Sequence, residues 1–476
     1  MERPVLPEML PSIPLNTATR AETAHIGPDV VTQAPIAAIA THNHDDEVRF
    51  VQIENYRSGG FHPVSIGDSF ASGRYRILHK LGFGGFSTVW LARDEHSHRL
   101  VSLKIIIEEA SKTSNELKIL QYLKESAIRH PACGHILSVL DHFTIEGPNC
   151  SHTCLVSPFD GPDLAQISHN PSQPAGSRRL RGSLARKLAW SRSWRYLMLA
   201  ITADLALILH LDLTPSNVLI QLTHVDSWSD QDVYELLGFP VQDQVRAWSG
   251  EVHGQSAPKY LVEPAILSKL ESKWFTEKAL LVDLGKYFML QAPPTNGGGI
   301  PMSYCAREVY FKGKASVWSD IWALGCTIFE IRAGEQLFAS FLGGPHEVIR
   351  HIVQTLGKLP EPWWSSWKLR DAFFDEHGKP RKSWPNDIPM AVEYPLIAHI
   401  RDIGSEDNEN IVRSEPDGNP IFEPLGMRLT EAEVEAFDDL LHKVLRYHPE
   451  QRLPVKEILK HAWFTISSED SSAVNG

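Results

Sequence analysis

The sequence predicts an α+β chain in two lobes, β-rich at the N-terminal side and mostly helical at the C-terminal side. Two patterns carry this. Short runs rich in Val, Ile, Leu and aromatics, at Tyr75–Lys80, Thr88–Arg93, Leu100–Ile107, Ile136–Ile145 and Cys154–Ser157, read as strands, with one helix over Ser114–Glu125 that puts Leu117, Leu120 and Leu123 on one side. Beyond Leu164 the segments near 184–209, 316–333, 346–357, 430–446 and 454–462 suit helices. No internal repeat is visible, and a chain of 476 residues can bury a large core in two or three folding units.

The flanks and loops follow from composition. Residues 1–47 are rich in Pro, Ala and Thr, with few aromatics, and are expected to form a disordered tail, as is 466–476. The lobes are expected at 48–160 and 161–465. Residues 169–183, rich in Pro, Ser and Arg, and the acidic 404–420 read as loops. A formal net charge of -12 argues against a nucleic-acid-binding body and favours a cationic partner. The five cysteines, Cys133, Cys150, Cys154, Cys305 and Cys326, form no disulfide framework, so free thiols in a reducing compartment are expected. No run approaches the roughly 18 apolar residues of a membrane span, and no signal pattern opens the chain. A monomer acting in cytoplasm and nucleus, with no membrane contact, is the expectation.

Five motifs carry chemistry. Leu81-Gly82-Phe83-Gly84-Gly85-Phe86-Ser87-Thr88-Val89 lies between two strands, where glycines let backbone N–H groups approach phosphates; alone, such a stretch is more often a plain turn. Lys104 sits in the apolar strand that follows. Its charge is costly there unless paired, and Glu116 on the next helix is the candidate; a lysine snorkelling to the surface is the alternative. His210-Leu211-Asp212-Leu213-Thr214-Pro215-Ser216-Asn217 precedes a strand, and apolar residues lead into Asp283-Leu284-Gly285. Tyr304-Cys305-Ala306-Arg307-Glu308, Ser319-Asp320-Ile321-Trp322 and His448-Pro449-Glu450-Gln451-Arg452 complete the series.

In this order, the motifs resemble those of protein kinases, where a strand rather than a helix follows the glycine-rich loop. The resemblance implies a bilobal protein-kinase fold using ATP and Mg²⁺. It implies that Leu81, Gly82, Phe83, Gly84, Gly85, Phe86, Ser87, Thr88, Val89 and Lys104 bind ATP, and that Lys104, Glu116 and Asp212 form the catalytic set. Asn217 and Asp283 would hold the metal, Asp320 would anchor the catalytic loop, and Glu308 would form a buried pair with Arg452.

More narrowly, the chain is similar to the SR-protein kinases. Glu54-Asn55-Tyr56-Arg57-Ser58-Gly59-Gly60-Phe61-His62-Pro63-Val64, Phe86-Ser87-Thr88-Val89-Trp90-Leu91-Ala92 and Ala257-Pro258-Lys259-Tyr260-Leu261 carry this likeness over roughly 48–465. It implies Arg-Ser-rich splicing factors as substrates. It also implies a spacer, about 222–278, which in the family governs location and partner binding and which reads equally well as disordered filler. A docking groove for Arg-Ser segments is implied too. Glu347 falls where the family has one groove acid, while Gln354 replaces another, so the groove is half retained.

Other positions depart from the pattern. Leu211 replaces the arginine that reads a phosphorylated loop, Pro301 removes a hydroxyl, and Thr214 replaces a phosphate-touching lysine. Arg307 replaces a proline, which is expected to loosen the activation segment. Trp190–Leu209 loses the family's helix pattern and has no glycine before His210, through divergence or a frame error. These departures leave a pseudokinase scaffold as the alternative to an active kinase.

Overall fold

Strand pairing in the first lobe follows from where its apolar residues fall. β1 (Ser69–Phe70), β2 (Tyr75–Gly84), β3 (Ser87–Asp94), β4 (Arg99–Ile106), β5 (Asp141–Gly147) and β6 (Cys150–Pro158) form one antiparallel sheet in the order β1-β2-β3-β4-β6-β5. Tyr75, Ile77, Trp90, Val101, Leu103 and Val156 belong to one buried cluster, and Leu78, Leu91 and Leu100 to another. A sheet with two apolar faces needs a cover on each. The computed structural model describes residues 50–112, 116–126, 134–168, 208–210, 212–245, 254–284, 287–289, 300–313, 315–339, 344–381, 391–405 and 428–466.

The spacer supplies the second cover. Its helix, Asp230–Leu237, begins at a capping box in which Ser229 and Asp232 satisfy each other's backbone N–H groups. Trp228, Val233, Leu267 and Leu270 pack with Leu78, Leu91 and Leu100. Asp230 receives Arg76 at 2.7 Å and Arg93 at 2.9 Å from the sheet. Ala265 N–H donates to the Lys80 carbonyl at 2.8 Å, and Asn149 Nδ2 donates to the Ser256 carbonyl at 2.7 Å. In its described parts the spacer is therefore folded onto the sheet rather than a loose filler.

Helices α1 (Glu108–Ser111) and α2 (Glu116–Ser126) follow β4, and α3 (Leu164–Ser168) follows β6. Three two-stranded pairs come next: β7 (Ile208–His210) with β12 (Tyr287–Met289), β8 (Val218–Leu222) with β11 (Phe275–Leu281), and β9 (Gln242–Gln244) with β10 (Tyr260–Val262). The second lobe is built on the helix Val317–Ala333, capped by Ser316 and apolar around most of its circumference. Such a helix must be central, and Ser319–Ala333 is buried throughout. Pro345–Leu356, Leu396–Asp402 and Glu431–Val444 surround it.

Several element boundaries differ from expectation. Ile136–Leu140 precedes the strand instead of opening it. Ile136 bridges Leu281 and Leu137 N–H donates to the Leu281 carbonyl, so this apolar stretch joins the lobes. Ile208–His210, the end of the expected helix 184–209, is extended because it pairs with β12; residues 184–207 lie outside the described residues. The expected helix 454–462 is one turn, Val455–Ile458, then a 3-10 turn, Ala462–Thr465. The tails at 1–47 and beyond Ile466, the loop 169–183, residues 406–420, Leu211 and Gly285 also fall outside the described residues.

One ion pair ties the ends of the second lobe together. Arg452 meets both oxygens of Glu308 at 2.6 and 2.7 Å, donates to the Trp318 carbonyl at 2.6 Å, and lies over the Trp322 ring at 5.2 Å. Ser319 adds a hydroxyl bond to Glu308 at 3.3 Å. Removing one partner strands a buried charge, which costs about 3–5 kcal/mol. Arg452→Met is thus expected to lower unfolding stability by about that amount. Denaturant unfolding of wild type and variant checks this, and a change under about 1 kcal/mol would contradict it.

Candidate active site

A cleft of about 1320 Å³ opens between the sheet and the β8–β11 strand pair. The β2–β3 hairpin is its roof. Leu81, Gly82, Phe83, Gly84, Gly85, Ser87 and Val89 line it. A Cβ added at Gly82, Gly84 or Gly85 would meet nothing within 4 Å, so internal packing does not demand glycine there. The glycines instead leave the backbone open to a ligand. Phe86, at the hairpin tip, is 61% exposed and does not line the cleft. Thr88 is buried and accepts a bond from Trp90 Nε1 at 3.0 Å, an internal role.

Lys104, on β4, reaches into the floor. Its Nζ lies 2.8 Å from each carboxylate oxygen of Glu116 on α2 and 2.7 Å from Asp283 Oδ1. Burial opposes the charge on Lys104, but the carboxylates of Glu116 and Asp283 outweigh it and hold its pKa above the ordinary lysine range. Asp283 adopts φ +55°, an uncommon left-handed geometry for a non-glycine residue. It follows β11, whose continuation donates Val282 N–H to the Asn217 carbonyl at 2.9 Å.

Asp212 and Asn217 lie on the loop before β8. Asn217 Nδ2 donates to the Asp212 carbonyl at 2.8 Å, and Asn217 N–H to the Thr214 carbonyl at 3.0 Å, so the loop closes on itself. Asp212 and Thr214 are both buried. Asp320 is buried on the central helix. Thr327, two turns further along it, donates to the Leu213 carbonyl at 2.9 Å. Thr327 was not singled out from sequence, although its spacing of seven from Asp320 puts both on one helix face.

Two further features of the cleft escape the motifs. Phe50, Val51, Gln52 and Asn55 line it, so the segment preceding the sheet belongs to the site. Asp160 and Asp163, between β6 and α3, also line it. Burial raises Asp160 to about 7 and Asp163 to about 6. The Asp163 carboxylate accepts the Gln166 N–H at 2.7 Å.

A family model for the protein kinase domain matches residues 280–464, the stretch holding Asp283, Glu308, Asp320 and Arg452. The chain is 37% identical to protein kinase dsk1 of Schizosaccharomyces pombe over 194 residues, 39% of this chain and 32% of that one. It is 25% identical to serine/threonine-protein kinase SRPK of Physarum polycephalum over 424 residues, 86% of this chain and 90% of that one. Over 106 residues it is 41% identical to human SRSF protein kinase 3, covering 22% and 18% of the two chains. Residues 280–464 thus carry a protein kinase domain, and over most of its length the chain is similar to serine/threonine-protein kinases of the SRPK type. The match spans about a third of the fission-yeast relative and nine-tenths of the slime-mould one.

Within the kinase domain the segment before Glu308 is tied down. Arg307 is fully buried, and its Nη2 donates to the carbonyls of Met302 and Cys305. Expected to loosen the segment, Arg307 instead braces it, because its long side chain turns back onto carbonyls of its own loop. Burial lowers its pKa, and its Nε and Nη1 have no hydrogen-bond partner among the described residues. Tyr304 donates to Glu330 Oε2 on the central helix and accepts from Gln336 Nε2 at 3.2 Å. Pro301 is exposed, and its carbonyl accepts the Tyr304 N–H at 3.0 Å.

The helix Pro345–Leu356 carries Glu347 and, two turns on, Gln354, so the two share a face. Arg350 and His351 lie between them, with Arg350 Nη2 3.0 Å from His351 Nε2. Gln354 Oε1 is buried without a hydrogen-bond partner among the described residues.

Glu330 gives the kinase domain a pH-dependent contribution to stability. Burial raises its carboxyl from 4.5 to about 7. The folded state therefore holds this proton longer than the unfolded chain. Its contribution to stability is complete below the ordinary value and is lost as pH rises through about 7. Glu330→Gln keeps an acceptor for Tyr304 and removes the titration. Its melting temperature is expected to vary less than wild type between about pH 5 and pH 8. Thermal unfolding of both proteins across that range checks this; parallel curves would contradict it.

Proposed function

We propose that this chain is an active, ATP-dependent kinase that phosphorylates serines in Arg-Ser-rich, splicing-factor-like proteins. The observation that carries the reading is the pairing of Lys104 with both Glu116 and Asp283 at the cleft floor. It joins both lobes around one cation that can meet nucleotide phosphates. Similarity to relatives named serine/threonine-protein kinase supports the serine/threonine class, and the names of two relatives, SRPK and SRSF protein kinase 3, support the substrate class.

The residues fit a magnesium nucleotide. Asp283 offers a carboxylate. Asn217, its Nδ2 engaged with the Asp212 carbonyl, offers its amide oxygen. These are hard oxygen donors, few enough to leave positions for phosphates and water. Bound magnesium supplies charge neutralisation across the phosphates. Lys104, held by Glu116, positions the phosphates, and Gly82–Val89 covers them and excludes water. Asp212 accepts the proton of the substrate hydroxyl as its oxygen bonds to the γ-phosphorus and the bond to the departing ADP breaks. Positioning and charge carry the reaction, with no covalent intermediate.

Glu347 and the net charge of -12 favour an arginine-rich substrate. Gln354 contributes an amide where a second carboxylate would give a charge-assisted contact. Action as a monomer in cytoplasm and nucleus, without direct nucleic-acid or membrane binding, completes the proposal.

The test is phosphate transfer from labelled ATP with Mg²⁺ to an Arg-Ser repeat peptide and to a Lys-Ser control. Transfer to the Arg-Ser peptide alone is expected, falling at least about 100-fold in Asp212→Ala. Thr214, buried where protein kinases commonly carry a phosphate-touching lysine, favours a scaffold reading. Nucleotide binding without transfer to either peptide would establish that reading instead.

A further inference from the structure

A second lysine lies close to the cleft roof and has no part in the chemistry above. Lys80, on β2, is 1% exposed. Among the described residues it forms no ion pair. Its Nζ stands 4.7 Å from the centre of the Phe83 ring and 5.7 Å from that of Trp90. Trp90 is its cross-strand partner on β3. Phe83 lies between Gly82 and Gly84, inside the stretch that roofs the cleft.

We infer that Lys80 is a positioning residue for the nucleotide: its enclosed ammonium, held against Phe83 and Trp90, pins the glycine-rich loop down over the cleft. The inference rests on the nucleotide-binding half of the function proposed above.

The argument is one of compensation. An ammonium removed from water needs a replacement for its hydration. A carboxylate serves Lys104 in this way. For Lys80 the negative faces of two aromatic rings serve instead. Burial lowers its pKa to about 8, which leaves it mostly charged at neutral pH. The two rings are not equivalent. Trp90 is fixed in the sheet, fully buried and bonded through Nε1 to Thr88. Phe83 is only partly buried and moves with the loop. Lifting the loop therefore strips the cation of one ring, and the cation resists the lift. The base of this arrangement is itself anchored, since the Lys80 carbonyl accepts the Ala265 N–H of the spacer at 2.8 Å. Lys80 thus acts on nucleotide through Phe83 and touches none of it.

The consequence falls on phosphates and not on the base. The glycine segment covers phosphates, so a looser loop weakens ATP while sparing adenosine. The experiment is equilibrium binding of ATP with Mg²⁺ and of adenosine to the full chain, for wild type, Lys80→Met, Lys80→Arg, Phe83→Leu and the double variant Lys80→Met/Phe83→Leu. Lys80→Met keeps volume and removes charge. It is expected to weaken ATP about tenfold and to change adenosine less than about twofold. Lys80→Arg restores ATP affinity. Phe83→Leu reproduces the loss, and the double variant is no worse than either single one.

Unchanged ATP affinity in Lys80→Met or in Phe83→Leu would overturn the inference. Equal losses for ATP and adenosine would also overturn it, since they mark general damage to the fold. If Lys80→Met does not fold, Phe83→Leu at the partly buried loop position decides alone. Because binding and not transfer is read, a chain that binds ATP without phosphorylating any peptide would refute kinase activity and leave this inference standing. Absence of nucleotide binding in wild type would refute both.

Discussion

The cleft depends on matching one half-buried cation. Lys104 arises in a strand whose neighbours are apolar, and its charge there is tolerable only against carboxylates. Those carboxylates come from different places: Glu116 from the helix after the strand, and Asp283 from the segment that follows β11. Satisfying Lys104 therefore fixes the position of α2, the direction of the chain after β11, and the approach of one lobe to the other. The loop bearing Asp212 and Asn217 is held to this arrangement by Val282, one residue before Asp283.

The same logic operates away from the cleft with different partners. Arg452 and Glu308 match charge with charge, with carbonyl oxygens taking the remaining donors. Arg332 and Glu433 repeat this between two helices at 2.9 Å. Lys80 uses aromatic faces. Arg307 uses carbonyl oxygens and the face of Tyr310, and its Nε and Nη1 have no hydrogen-bond partner among the described residues. Buried cations are thus a recurrent device in this chain, and each is solved by whichever oxygen or ring the backbone brings near.

What could be read from sequence was what local pattern determines. The strands containing Tyr75, Thr88 and Leu100 and the central helix beginning at Val317 were visible because apolar spacing decides them. Lys104 and Glu116 could be paired on paper because a charged residue in an apolar strand demands a partner, whereas the contact of Lys104 with Asp283, expected only to hold the metal, emerges from the structure. Ile136–Leu140 could not be placed, since an apolar run does not say whether it pairs along a sheet or bridges to Leu281. Glu330 was invisible inside an apolar helix because Tyr304, its partner, is 26 residues away. Arg307 misled because substitution of a proline suggests looseness, whereas a long side chain can recoil onto its own loop. The filler reading of the spacer fails because polar composition hid the few residues, Trp228 and Val233 among them, that bury it.

The packing of the spacer has a consequence for the order in which the molecule can be made. Leu78, Leu91 and Leu100 are covered by residues between Trp228 and Leu270, and Arg93 finds Asp230 only 137 residues downstream. A nascent chain that has emerged as far as β6 carries a sheet with one face bare. Contacts of such long sequence separation form slowly, and an uncovered apolar face invites association while it waits. The first lobe is early in the gene but late to mature. It is finished only when the ribosome has delivered the covering segment, just before the residues that reach Lys104 from the other side.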